Sequence, residues 1–146
     1  QNELRNRHGM EVVPFTISAL GQARERLQAG GTVLTGIDRP VAGSKYAPRF
    51  CGYPAALPVS HIRLALKTGA RVFVVGFTTL ADHSHLLDVS DEVLLERYEN
   101  VDEELTRNAE KVLVEAEKFI RRDPSQWMMF FPVWPGELAE LERGEH

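Results

Sequence analysis

Cysteine is almost absent from this sequence: Cys51 is the single one among 146 residues. No internal disulfide can form, nothing points to an oxidising compartment, and Cys51 reads as a small semi-buried apolar residue. A basic surplus is lacking too, since 17 Lys and Arg stand against 21 Asp and Glu for a formal net charge of -4. Neutralising many phosphates needs the opposite balance, so nucleic acid is not the expected principal partner. There is no run of roughly 18 apolar residues that would span a bilayer. The first residues have neither a charged n-region nor an apolar h-region. Any membrane contact is therefore expected to be peripheral or made by other sequence. Also missing are a Gly-x-Ser-x-Gly elbow, a phosphate-binding glycine loop and a His-Glu-x-x-His pair.

What is present is the material of one α/β domain, with 43% hydrophobic residues to build a core. Gln1, then Glu3, Arg5 and Arg7 among polar neighbours, resemble a helix end met midway, and the chain is expected to be the C-terminal part of a larger protein. Met10 to Phe15 carries Val12 and Val13 and reads as a strand. Ile17, Leu20, Ala23 and Leu27 recur at helical steps, with Ser18 near the start and Gly30-Gly31 as the stop. Thr32 to Ile37 is a compact strand covered on both faces. Val41 to Pro54 holds too many turn formers for a regular element and reads as a long loop. Val59, Ile62, Ala65 and Leu66 predict a helix closed by Gly69, and Arg71 to Phe77 a further buried strand. That β-loop-α-β order predicts a largely parallel central sheet flanked by helices, incomplete as it stands. Leu86, Leu87 and Val89 predict a short strand returning beside its neighbour.

The longest amphipathic pattern runs from about Asp102 to Arg122, acids first and cations last, as the helix dipole favours. Asp123-Pro124 ends it. Between Gln126 and Trp134 come Trp127, Met128, Met129, Phe130, Phe131 and Trp134, expected to be buried or to form an interaction surface. Residues 137–146 read as a charged tail after a domain of residues 1–136.

Among residues that could carry chemistry, Asp82, His83 and His85 read as a solvated turn rather than a metal site. Arg121-Arg122 answers the helix dipole rather than an anion. Asp38 follows a strand end, where α/β folds place ligands, and its side chain either faces a ligand or caps the next loop.

Four segments in order carry a resemblance. They are Gly30-Gly31-Thr32-Val33-Leu34-Thr35-Gly36-Ile37-Asp38, Arg49-Phe50-Cys51-Gly52-Tyr53-Pro54-Ala55, Arg63-Leu64-Ala65-Leu66-Lys67-Thr68-Gly69-Ala70 and Asp123-Pro124-Ser125-Gln126-Trp127. Together they resemble the C-terminal half of the bacterial lipid A biosynthesis (lauroyl/myristoyl) acyltransferase family, of the lysophospholipid acyltransferase-like group. The resemblance implies transfer of a fatty acyl chain from acyl-CoA or acyl carrier protein to a glycolipid or phospholipid hydroxyl. It implies no cofactor beyond that carrier thioester, and a site in the cytoplasm or at the cytoplasmic face of the inner membrane. The general base would come from an upstream His-x4-Asp or His-x4-Glu motif. Neither His8, followed five positions later by Val13, nor His61, followed by Leu66, supplies it, so the chain alone is expected to be inactive. Carried over as substrate-binding candidates are Arg7, Asp38, Arg39, Arg49, Phe50 and Gly52. After the Gln-Trp pair the family has an aromatic followed by His-Arg-Arg, whereas this chain has Met128-Met129-Phe130-Phe131-Pro132-Val133-Trp134, which argues for an acceptor less anionic than lipid A or for a subfamily of different task. The rival expectations are a non-catalytic lipid-binding or scaffold domain and, more weakly, a nucleotide-phosphate binder. Self-association is expected if a sheet edge or core face is left uncovered.

Overall fold

The computed structural model describes residues 5, 7–14 and 16–136. The chain divides into two compact units, residues 1–34 and 35–146.

In the first unit the chain enters helix α1, Ile17–Gln28, through Thr16, whose hydroxyl accepts the Ala19 N–H at 3.1 Å. That bond satisfies one of the first-turn donors a helix leaves open. Thr16, not Ser18, is thus the cap. Ala19 is buried and Leu20, Ala23 and Leu27 are half-buried, while Ile17 is exposed. The expected strand at Met10 to Phe15 is corrected: residues 10–14 are exposed and carry no strand, and Phe15 lies outside the described residues. Val12 and Val13 favour a pleated surface only where a partner strand provides one.

The second unit is organised on one long helix. Its order is β1 (Arg49–Phe50), β2 (Tyr53–Pro54), α2 (Ser60–Thr68), β3 (Val75–Thr79), β4 (His85–Val89), α3 (Val101–Arg122) and a 3-10 turn, Pro124–Gln126. The side-chain oxygen of Asn100 caps α3 by accepting the N–H groups of Asp102 and Glu103 at 2.9 and 3.0 Å. Asp102, Glu103 and Glu104 fill the first turn, with Arg121 and Arg122 in the last. Two apolar clusters share α3. Leu105, Ala109, Val112 and Ala116 pack with Val59, Ile62, Val74 and Val93, and Leu113 packs with Phe50, Ala55, Leu57 and Val133. Asn108, fully buried, accepts the Glu96 N–H at 2.8 Å and donates to the Glu96 and Glu104 carbonyls, so the strand-to-helix connection is fastened to the core. Helix α2 closes on Gly69, whose φ of 70° places it in the left-handed region and whose N–H reaches the Ala65 carbonyl.

Both sheets are small and antiparallel. Within the expected loop of residues 41–54, β1 and β2 pair as Phe50↔Tyr53 across the two-residue turn Cys51-Gly52, with φ of 52° and 90°. Positive φ at both positions is what the primed hairpin turn requires, and Cys51 adopts it without being glycine. β3 and β4 pair from Val75↔Val89 to Thr79↔His85 across residues 80–84, where His83 takes a φ of 65°. The returning strand expected at Leu86 to Val89 is there.

The largely parallel central sheet does not form among the described residues. Residues 32–37 carry no strand, and the expected strand at Arg71 to Phe77 begins only at Val75. A strand covered on both faces needs ladder partners, and the short turn after β3 can supply only an antiparallel one. The molecule is therefore mixed α/β with antiparallel hairpins.

Candidate functional site

Three of the sequence segments singled out above meet at one corner of the second unit. The indole N–H of Trp127 donates to Asp38 Oδ2 at 2.8 Å, 89 positions apart in the chain. Trp127 also meets Phe50 edge to face, centroids 5.8 Å apart at 82°. Trp134 stacks on Phe50 at 5.5 Å and 26°, its centroid 6.1 Å from that of Trp127, and its indole N–H donates to the Phe50 carbonyl at 3.1 Å. Phe50 is 0% exposed. Buried indoles need acceptors, and a carboxylate and a backbone carbonyl provide them.

Helix α3 holds the hairpin against this cluster through two acids. Glu110 Oε1 accepts the Arg49 N–H at 2.9 Å and Glu117 Oε1 accepts the Cys51 N–H at 2.5 Å. Glu110 and Glu117 are seven residues apart, on one face of a helix, while Arg49 and Cys51 are two apart, on one edge of a strand. The two periodicities match. Burial, and then the Glu117 carboxylate, push the Cys51 thiol pKa up, which favours the thiol over the thiolate.

The carried-over residues thus divide. Asp38 is half-buried and engaged by Trp127, Phe50 is the centre of the packing, and Gly52 forms the turn. The Arg49 guanidinium turns back to donate to the Gly52 carbonyl at 2.9 Å, holding the turn. Arg39 lies over the Phe131 ring, its guanidinium carbon 5.2 Å from the centroid. Arg7 is exposed and belongs to the first unit.

The residue the sequence reading passed over is Gln126. Its carboxamide oxygen accepts the Thr79 N–H at 2.7 Å, and its nitrogen donates to the Thr79 carbonyl at 3.0 Å and to Asp123 Oδ2 at 2.8 Å. Gln126 therefore ties the C-terminal end of β3 to the corner, while Trp127 beside it holds Asp38. The tail alternates. Trp127, Met129, Val133 and Trp134 join the second cluster, whereas Met128, Phe130 and Phe131 are exposed. The tail is thus buried at some positions and exposed at others.

One His-x4-Asp spacing does occur in the sequence, His83 to Asp88, and was not picked out by its letters. His83 sits in the β3–β4 turn with left-handed backbone, and Asp88 lies on β4 with its carboxylate paired to Arg122. No hydrogen bond joins the two among the described residues, so they do not form an assembled base. Asp82 Oδ1 accepts the Ser84 N–H at 3.0 Å, the geometry of a turn.

A hollow of about 470 Å³, open to solvent, is lined by Lys45, Tyr46, Ala47, Asp102, Glu103, Thr106, Arg107 and Glu110. Lys45 bonds both Asp102 oxygens, and the Tyr46 hydroxyl donates to Asp102 while accepting from Arg63. The Lys45 ammonium, then the Tyr46 hydroxyl, hold the Asp102 carboxyl below the usual carboxylate range. These charges answer one another.

A search of the curated proteins found no match. A family model described as bacterial lipid A biosynthesis acyltransferase matches residues 1–135. The match spans both units and all four segments, three of which the second unit gathers at Asp38, Phe50 and Trp127. The chain belongs to the bacterial lipid A biosynthesis acyltransferase family, and its function is of the acyltransferase kind.

Proposed function

We propose that this chain forms the C-terminal part of an acyltransferase that moves a fatty acyl chain from acyl-CoA or acyl carrier protein to a hydroxyl of a glycolipid or phospholipid. The observation that carries the reading is the Trp127 to Asp38 bond, which draws Asp38, the Phe50-Cys51-Gly52 turn and the Gln126-Trp127 pair into one corner. In that role Asp38, its Oδ2 held by the indole, presents the rest of its carboxylate to an acceptor hydroxyl or to an arginine of the working site. The aromatic floor behind it keeps water from its rear face.

The general base is supplied by sequence other than the assembled groups described here, and the 146-residue chain alone turns nothing over. A correctly placed base contributes about 10²- to 10⁴-fold, which positioning by this corner does not replace. The largely parallel sheet belongs to the complete enzyme. The donor is the carrier thioester and no further cofactor takes part. The reaction lies in the cytoplasm or at the cytoplasmic face of the inner membrane, with peripheral contact and no nucleic acid. Without cations after Trp127, the acceptor is less anionic than lipid A.

The experiment is Asp38→Asn in a polypeptide that joins this chain to its His-x4-Asp or His-x4-Glu sequence. Turnover should fall at least about tenfold while the melting temperature moves by no more than a few degrees. Unchanged turnover would remove Asp38 from the site.

A second reading, a non-catalytic lipid-binding or scaffold domain, draws on the exposed Met128, Phe130 and Phe131. Acyl transfer by the joined polypeptide would refute it.

A further inference from the structure

β3 has an open edge whose pattern of donors and acceptors is set by the ladder on its other side. Leu80 N–H bonds the Ser84 carbonyl at 2.9 Å, and Ser90 N–H bonds the Val74 carbonyl at 2.9 Å. With the register Val75↔Val89 through Thr79↔His85, the even-numbered residues of β3 exchange bonds with β4. The N–H and C=O groups of Val75, Phe77 and Thr79 therefore point away from it. Those of Thr79 are both taken by the Gln126 carboxamide, which occupies the edge as a strand residue would. Those of Val75 and Phe77 have no recorded partner among the described residues.

The side chains on this edge are apolar and exposed. Phe77 is 72% exposed, and Val75, Leu87 and Val89 stand on the same face, also exposed. The other face is closed, because an added Cβ on Gly76 would lie 2.7 Å from the Phe119 ring. Val75–Thr79 contains no charge, no proline and no bulge, the devices by which natural edges are usually guarded.

We propose that in the 146-residue chain, whose described residues do not form the parallel sheet read above for the complete enzyme, the β3 edge joins two copies antiparallel about a twofold axis through Gly76. Such an axis sets Val75 opposite Phe77 of the second copy, and the reverse, so the outward N–H and C=O groups at each pair exchange two hydrogen bonds. The edge is thus its own complement. Gly76 meets Gly76, so no side chain obstructs the close, non-bonded pair between them. The face of Val75, Phe77, Leu87 and Val89 continues across the axis, and an uncharged strand meets its copy without repulsion. Gln126 seals Thr79 and ends the pairing there, and the twofold uses the β3 edge of both copies, so no β3 edge is left to recruit a third.

The test is sedimentation velocity of the 146-residue chain over a wide concentration range, with amide hydrogen exchange. A concentration-dependent dimer is expected, with the Val75 and Phe77 amides protected in the dimer and exchanging freely on dilution. Phe77→Pro removes an N–H outside the β3–β4 ladder, and proline is tolerated on an open edge. It should weaken association at least about tenfold while the far-ultraviolet spectrum stays unchanged. Phe77→Thr keeps the N–H and should weaken it less. A monomer at every concentration overturns the proposal, as do Val75 and Phe77 amides that exchange equally fast in dimer and monomer. Amides protected in a monomer overturn it too, because the edge would then be covered from within the chain. Should Phe77→Pro not fold, the amide exchange of the unsubstituted chain decides. None of these outcomes depends on acyl transfer.

Discussion

The corner around Phe50 and the hairpin β3–β4 each hold a two-stranded antiparallel ladder, yet they end in opposite states. At the corner three backbone groups of β1 and its turn are answered by side chains: Glu110 and Glu117 take the N–H groups of Arg49 and Cys51, and Trp134 donates to the Phe50 carbonyl. On the hairpin only Thr79 is answered, by Gln126, and the Val75–Phe77 stretch stays open. Packing against α3 does not explain the difference, since both strands touch it. What differs is whether side chains from elsewhere reach the backbone edge. An edge met by carboxylates two helical turns apart is finished, and one met by a single carboxamide is finished at one residue.

The largest effect that would sharpen this contrast is on stability. Phe50→Ala should cost about 3–5 kcal/mol, because it empties a fully buried site packed against two indoles. Phe77→Thr, on the exposed face, should cost under about 1 kcal/mol in the dilute chain. Urea unfolding of both variants checks this, and equal losses would erase the distinction between closed and open regions.

A comparable effect comes from another unanswered group. His61 lies on α2 with part of its side chain exposed, but both ring nitrogens are buried and without a hydrogen-bond partner among the described residues. Burial disfavours the imidazolium and lowers the pKa to about 4 from its ordinary 6.5. The unfolded chain therefore binds the proton first, and the stability present above pH 6.5 is lost as the pH falls toward 4. The full difference is about 3 kcal/mol. His61→Gln should flatten the unfolding free energy between pH 6.5 and 4 relative to the unsubstituted chain. An identical slope in both would show that His61 has a partner after all.

How much of this was legible in the sequence follows from which interactions are local. Helix α3 could be read to within a residue, because its stripe, its acidic first turn and its basic last turn are encoded within the segment itself. α2 and its Gly69 stop could be read for the same reason. The hairpin at residues 49–54 was hidden, since its turn uses Cys51 in a left-handed conformation that the residue type does not announce. The parallel sheet failed because a hydrophobic run such as residues 32–37 states an appetite for neighbours and not their presence. Of the site, Asp38 was chosen for its place after a strand, but its partner Trp127 is 89 residues away. Nothing short of the resemblance linked them. Gln126 was quoted within a motif without a role, because a carboxamide that imitates a strand residue leaves no periodic trace.

The smallest energetic effect bears most directly on the central claim, that Asp38 and Trp127 fasten three distant segments into one corner. Hydrogen exchange of the Trp127 indole N–H, followed by NMR, reads that bond alone. Slow exchange in the unsubstituted chain, lost in Asp38→Ala while the Trp134 indole stays protected, is the predicted result. A Trp127 indole that exchanges as fast as free indole before any substitution would contradict it.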